Sequence, residues 1–171
     1  MRYHFPSLSF ADFYEDPDSV REFALKLEYH NKMGSHPGLR TNSLDHIDNN
    51  FADYSARKVL SLLGNFDNPD VTYTCVTAFQ KIWRFSSDPN DVVNQGWIHH
   101  DGQVMLAAVI YLDPNPSTDN GTSFYDLPEG DFYEVPTKKE YQGVMGEGDI
   151  SDIDDIKWYR ENIVKNNEQF K

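Results

Sequence analysis

The apolar residues of this chain change period partway along it, from a helical spacing before residue 64 to a strand-like one after residue 71. Side chains three and four apart share a helix face and side chains two apart share a strand face, so the change sets the order of elements: helices first, strands after. In the first part, Val20, Phe23, Ala24 and Leu27 fall at i, i+3, i+4 and i+7 behind Asp16-Pro17-Asp18-Ser19. An acid placed to cap and a proline in the first turn favour a helix start there, which predicts an amphipathic helix over residues 17–29. Ala56, Val59, Leu60 and Leu63 repeat the spacing ahead of Gly64-Asn65 and predict a second helix over 53–63. Residues 31–50, between the two, are polar and turn-rich and read as a long loop.

Beyond Asn68-Pro69, residues 71–85 are rich in β-branched and aromatic side chains, and Val71, Tyr73, Cys75, Thr77 and Phe79 fall on one face at period two. Residues 105–112 are apolar without a break, as in a strand buried on both faces, and Asp113-Pro114-Asn115-Pro116 ends the run. Residues 121–127 read as a further strand. The tail over 153–170 reads as a helix with Ile156, Tyr159 and Ile163 on one face. No repeat or linker interrupts the chain, so residues 1–171 are expected to form a single α+β domain.

Hydrophobic residues make up 39% of the chain and aromatic ones 14%, enough to build a core despite the 25% of charged residues. With 15 Lys and Arg against 28 Asp and Glu, the net charge of -13 repels a phosphate backbone, so no nucleic acid is expected as a partner. The apolar run is too short to cross a bilayer, and Met1-Arg2-Tyr3-His4 opens no signal sequence, so no membrane association is expected. Cys75 is the one cysteine and cannot form an internal disulfide. The expected setting is the cytoplasm.

The chemistry-bearing segment is Trp97-Ile98-His99-His100-Asp101-Gly102. On an extended chain His99 and Asp101 project from one face and His100 from the other. An imidazole and a carboxylate so placed are two-thirds of the 2-His-1-carboxylate set that holds ferrous iron with coordination positions open. The spacing by itself is weak, because 6 His and 28 acidic residues in 171 give roughly one His-x-Asp/Glu by chance. A second copy, His46-x-Asp48, lies in the polar stretch with no strand behind it and reads as surface.

Context strengthens the first copy. An aromatic and an apolar residue lead into His99-x-Asp101, a polar turn follows, an apolar run ends in Tyr111-Leu112-Asp113, and Gly121-Thr122-Ser123-Phe124 continues. In this order of features the segment resembles the prolyl-4-hydroxylase-like branch of the 2-oxoglutarate and Fe(II)-dependent dioxygenases. The resemblance covers residues 97–125 well and about twice that length loosely, the stretch from Asp12-Phe13-Tyr14 to Glu28 included. It implies a double-stranded β-helix, a jelly-roll or cupin-like barrel with the N-terminal helices packed outside. It also implies His99 and Asp101 as iron ligands, Tyr111 against the cosubstrate 2-oxoglutarate, and a small molecule or peptide as substrate.

One departure stands against these matches. The family pattern needs a second histidine downstream and beyond it a basic residue for the distal carboxylate of 2-oxoglutarate, yet no histidine follows His100. Arg160 and the C-terminal lysines lie in the polar tail. The expectation is a barrel incomplete at its C-terminus, with a degenerate relative that has become a non-catalytic binding module as the alternative. A phosphohydrolase reading of His100-Asp101 is set aside, because such dyads sit on helices and residues 97–112 are strand-like.

The remaining candidates have plainer readings. Trp83, Phe85 and Trp97 are packing residues, and Cys75 is a small buried hydrophobe rather than a nucleophile. His36-Pro37-Gly38-Leu39-Arg40-Thr41 is a surface loop or a loop beside the site. The acids between Glu147 and Asp155 lack calcium-loop spacing and read as a solvated turn capping the tail helix.

Overall fold

A computed structural model describes residues 7–30, 39–64, 70, 72–82, 87–95, 106–117, 121–124, 163–164 and 167–168. The elements named among them run α1 (Pro17–Leu25), β1 (Leu39–Arg40), α2 (Leu44–Ile47), α3 (Asn49–Ser61) and β2 (Gln80–Lys81), followed by a 3-10 turn at Val92–Gln95.

Helix α1 begins where the sequence places its cap. Asp16 accepts the Ser19 amide at 3.0 Å and the Ser19 hydroxyl at 2.5 Å, and these two bonds hold its carboxyl below the usual carboxylate range. Ala24 is buried, and Val20, Phe23 and Leu27 are half-buried, the face expected from their spacing. The helix stops at Leu25, short of residue 29. Tyr29 donates its hydroxyl to the Ala24 carbonyl at 3.0 Å, satisfying a terminal acceptor, and His30 leaves the helix direction to exchange both backbone bonds with Arg40.

The polar stretch expected to be a loop carries structure over its second half. β1 pairs antiparallel with β2 in the register Leu39 to Lys81 and Arg40 to Gln80. The same register continues one step, with the Thr41 amide donating to the Phe79 carbonyl at 3.0 Å and the Thr41 hydroxyl accepting from the Phe79 amide at 3.1 Å. Thr41 is fully buried, and its side chain stands in for the backbone acceptor that a longer ladder would supply. The Leu44 amide then donates to the Thr77 carbonyl at 2.8 Å as α2 begins. Helix α3 starts at Asn49 rather than 53 because Asp48 accepts the Phe51 amide at 3.0 Å and so caps it. Gly64, at φ +111°, lies three residues past its end in a conformation that glycine adopts without strain.

Among the described residues of the stretch 71–85, expected to form strand, the ladder with β1 takes up Gln80–Lys81, and residues 72–79 lead into it as extended chain. The odd-numbered face still meets the helices. Phe51 lies at the centre of the core, its ring 5.9 Å from Tyr14, 5.5 Å from Phe23 and 5.9 Å from Phe79, so that α1, α3 and the extended chain converge on one aromatic cluster. Beneath it Tyr14 bonds Ser55 at 3.0 Å, both groups being buried.

Residues 106–112, expected as a strand buried on both faces, join no strand among the described residues and are largely exposed, Leu106 at 42% and Val109 at 64%. In the tail, Ile163 is helical and fully buried and the neighbouring Val164 is exposed, while Ile156 and Tyr159, expected on the same face as Ile163, lie outside the described residues. Among the described residues no helix is long and apolar enough to cross a membrane. The barrel expectation rests on residues 97–127, of which 97–105, 118–120 and 125–127 lie outside the described ones, as do Trp83, Phe85, His36 and the acids between Glu147 and Asp155.

Candidate functional site

Of the residues expected to form the metal site, His99, His100 and Asp101 lie outside the described residues, and Tyr111 lies within them. Tyr111 is 58% exposed, and its hydroxyl shares a hydrogen bond of 2.6 Å with the Thr122 hydroxyl. Between the two, Asp113 accepts the Asn115 amide at 2.9 Å, a side-chain turn that stops the apolar run at the Asp-Pro-Asn-Pro sequence and lets the chain come back. The segments holding Tyr111 and Thr122 therefore meet at their hydroxyls.

The second His-x-Asp is divided between two surface tasks. His46 is exposed in α2, 3.8 Å from the Asp45 carboxylate, while the Asp48 carboxylate is taken up in capping α3. His30 stands 3.9 Å from Glu28. Among the described residues no group of three His, Cys, Asp or Glu side chains is placed to hold a metal ion.

A groove of about 450 Å³ lies between the α3 face and the extended chain at 72–77. Ala52 and Ala56, one helical turn apart, leave the room. Among its lining residues Asp53 accepts the Tyr73 hydroxyl at 2.5 Å on one oxygen and the Arg57 Nε at 3.0 Å on the other, and the Arg57 guanidinium lies 5.5 Å from the Tyr73 ring centre. The Tyr73 hydroxyl, and after it Arg57, hold the Asp53 carboxyl low, whereas partial burial and the Asp53 charge push the Tyr73 phenol up. Asp45 and Cys75 line it as well. A hydrogen bond from Ser43 keeps Asp45 ionised below the usual range.

Cys75 is exposed, which corrects the expectation of a buried small hydrophobe. Shielding by the groove walls and the Asp45 charge both push its thiol up, away from the thiolate a nucleophile needs. Asp53 and Arg57 carry a signal the sequence reading passed over, an acid and a base at i and i+4 on a helix. Comparison with protein-family models, with curated proteins and with solved structures gives no match.

Proposed function

We propose that the chain is an Fe(II)- and 2-oxoglutarate-dependent oxygenase, a hydroxylase of a small molecule or peptide, with His99 and Asp101 as iron ligands. The order His99-x-Asp101, apolar run, Tyr111, Gly121 to Phe124 carries the reading. The Tyr111 to Thr122 contact agrees with it, since a barrel of this kind needs the chain to return beside the run that follows the ligands. In the same reading Tyr111 offers its hydroxyl to a 2-oxoglutarate carboxylate, and the setting is the cytoplasm.

The donor set is two-thirds of what the iron requires. When bound, the metal would supply oxidation by dioxygen, and a set of three protein groups would hold it with positions still open for oxidant and substrate. No histidine follows His100, and the described residues add no third ligand. That same shortage favours the second reading, a non-catalytic module that binds a small molecule or partner through the same cleft.

Anaerobic Fe(II) titration, together with succinate formation and oxygen consumption, separates the two. The oxygenase reading expects Fe(II) binding that falls by more than about 10-fold on His99→Ala or Asp101→Ala, since even outer partners of a metal are worth about that much. With two ligands, little succinate is expected. Robust turnover would point to an upstream third ligand among His4, His30, His36 and His46. Iron binding indifferent to both substitutions would leave the module.

A further inference from the structure

The β1–β2 ladder joins two parts of the sequence that hold no acid. The 28 Asp and Glu are spread so that the longest stretches without one are residues 29–44 and 71–87, and these carry Lys32, Arg40, Lys81 and Arg84. The ladder pairs Leu39 with Lys81 and Arg40 with Gln80, and His30 exchanges both backbone bonds with Arg40. Every strand position of this sheet therefore comes from an acid-free stretch. An anion meets less repulsion there than over the rest of a chain of net charge -13.

Directly opposed residues of an antiparallel pair share a face, with Cβ atoms about 5 Å apart, so His30, Arg40 and Gln80 form one row across the sheet. Arg40, at its centre, is partly buried, and its side chain bonds a neutral group, Nη2 donating to the Gln80 Oε1 at 3.0 Å. Among the described residues no carboxylate pairs with it, and burial draws its pKa down. A guanidinium withdrawn from water without a counter-charge carries a desolvation cost that an arriving anion offsets. Only one of its five N–H donors is taken up by Gln80. A guanidinium donates and never accepts, so the Gln80 oxygen must face it, which leaves the Gln80 NH2 as a second donor. His30 adds a third side chain to the row. Glu28 borders it, highly exposed and 3.9 Å from His30. Lys81 lies on the opposite face, its Nζ 3.9 Å from the Tyr29 ring centre, and contributes charge rather than contact.

Three side chains from three neighbouring segments suit an ion with three terminal oxygens better than a flat carboxylate with two, and the guanidinium fork matches two of those oxygens. We propose that the row of His30, Arg40 and Gln80 binds the terminal phosphate of a small phosphorylated molecule. Arg40 and Gln80 are its principal ligands, with His30 at the edge. The site makes no use of His99 or Asp101.

An amide NMR titration of the full chain with inorganic phosphate, beside acetate at the same ionic strength, tests this. The expected result is saturable shifts at Arg40 and Gln80, with acetate binding at least about 10-fold more weakly, the size of one charge-assisted hydrogen bond. Gln80→Glu gives Arg40 the counter-charge it lacks. Phosphate binding should then fall by at least about 10-fold while the melting temperature holds or rises. Arg40→Gln should lose binding by a similar factor, and Lys58→Gln, which removes the same charge from α3, should leave it unchanged. The comparison of phosphate with acetate uses the unaltered protein, so it stands even where a variant fails to fold. Absence of saturable shifts at millimolar phosphate would overturn the proposal. So would acetate binding as tightly as phosphate, binding that survives Gln80→Glu, or an equal loss in Lys58→Gln.

Discussion

The aromatic cluster and the run at residues 106–112 are built from the same kinds of apolar side chain and end in opposite environments. Phe51 has three rings within 6 Å, drawn from α1, from the extended chain and from Tyr14. Leu106, Val109 and Tyr111 are exposed. An amphipathic helix has one face to cover and completes it with one partner, which the pairing of residues 39–44 with 77–81 brings into place. A run that is apolar at every position has two faces and needs a layer on each. Apolar composition therefore marks a segment for burial, and period determines how many neighbours the burial takes.

The largest expected effect breaks or sustains this contrast directly. Phe51→Ala removes the ring shared by α1, α3 and the extended chain and should cost about 3 kcal/mol, the low end for such a truncation because the side chain is only half-buried. Val109→Ala should cost less than about 0.5 kcal/mol, as exposed positions do. Urea unfolding midpoints compare the two. Equal losses would show that the run is as well covered as the cluster.

Next in size is Tyr14→Phe. The Tyr14 and Ser55 hydroxyls are both buried and serve one another, so removing one leaves the other without its partner, and about 1 to 1.5 kcal/mol should be lost. Burial raises the Tyr14 phenol, the largest influence on it, although the Ser55 bond acts the other way. Asp48→Ala should follow at about 1 kcal/mol, the usual value of a helix cap. Tyr111→Phe, which removes an exposed bond to Thr122, should change stability by less than about 0.5 kcal/mol. If Tyr111→Phe matches Tyr14→Phe, the 106–124 segment has a core of its own.

The helices were legible because their signals are local. Asp16-Pro17 and the four apolar residues behind it state both the start and the buried face of α1. Asp48 was legible only as half of a His-x-Asp, although an acid three residues ahead of Phe51 is as good a cap as Asp16. The stretch at 39–44 was hidden because its structure comes from a distance. Leu39, Arg40 and Thr41 have no strand pattern of their own and are ordered by residues 77–81, some 40 positions away. The period-two face was readable, and it brings Tyr73 to α3 and Phe79 to the core. The groove was not, because it needs the α3 face and that strand face together. Of the metal site, only Tyr111 stands among the described residues, and its bond to Thr122 had no signal in the sequence beyond the order of the two segments.

The smallest effect concerns pH and belongs to the α3 side alone. Tyr73 and Arg57 hold the Asp53 carboxyl below its ordinary value, so the folded state binds that proton more weakly than the unfolded chain does. The stabilisation is thus complete above the ordinary carboxylate value and is lost as pH falls through the lower folded one, which places the change below about pH 4. The Tyr73 phenol shifts upward, so its share is complete below about pH 10 and fades as pH rises through its higher folded value. Melting temperatures of the unaltered chain and of Asp53→Asn should differ slightly near neutrality and converge in acid. Tyr73→Phe should flatten the alkaline edge. Because Asp53 is exposed, added salt should shrink the difference. A gap that widens on acidification would mean that Asp53 is stabilised in its protonated form. The Asp53 to Arg57 contact would then no longer be what orients the guanidinium beside Tyr73.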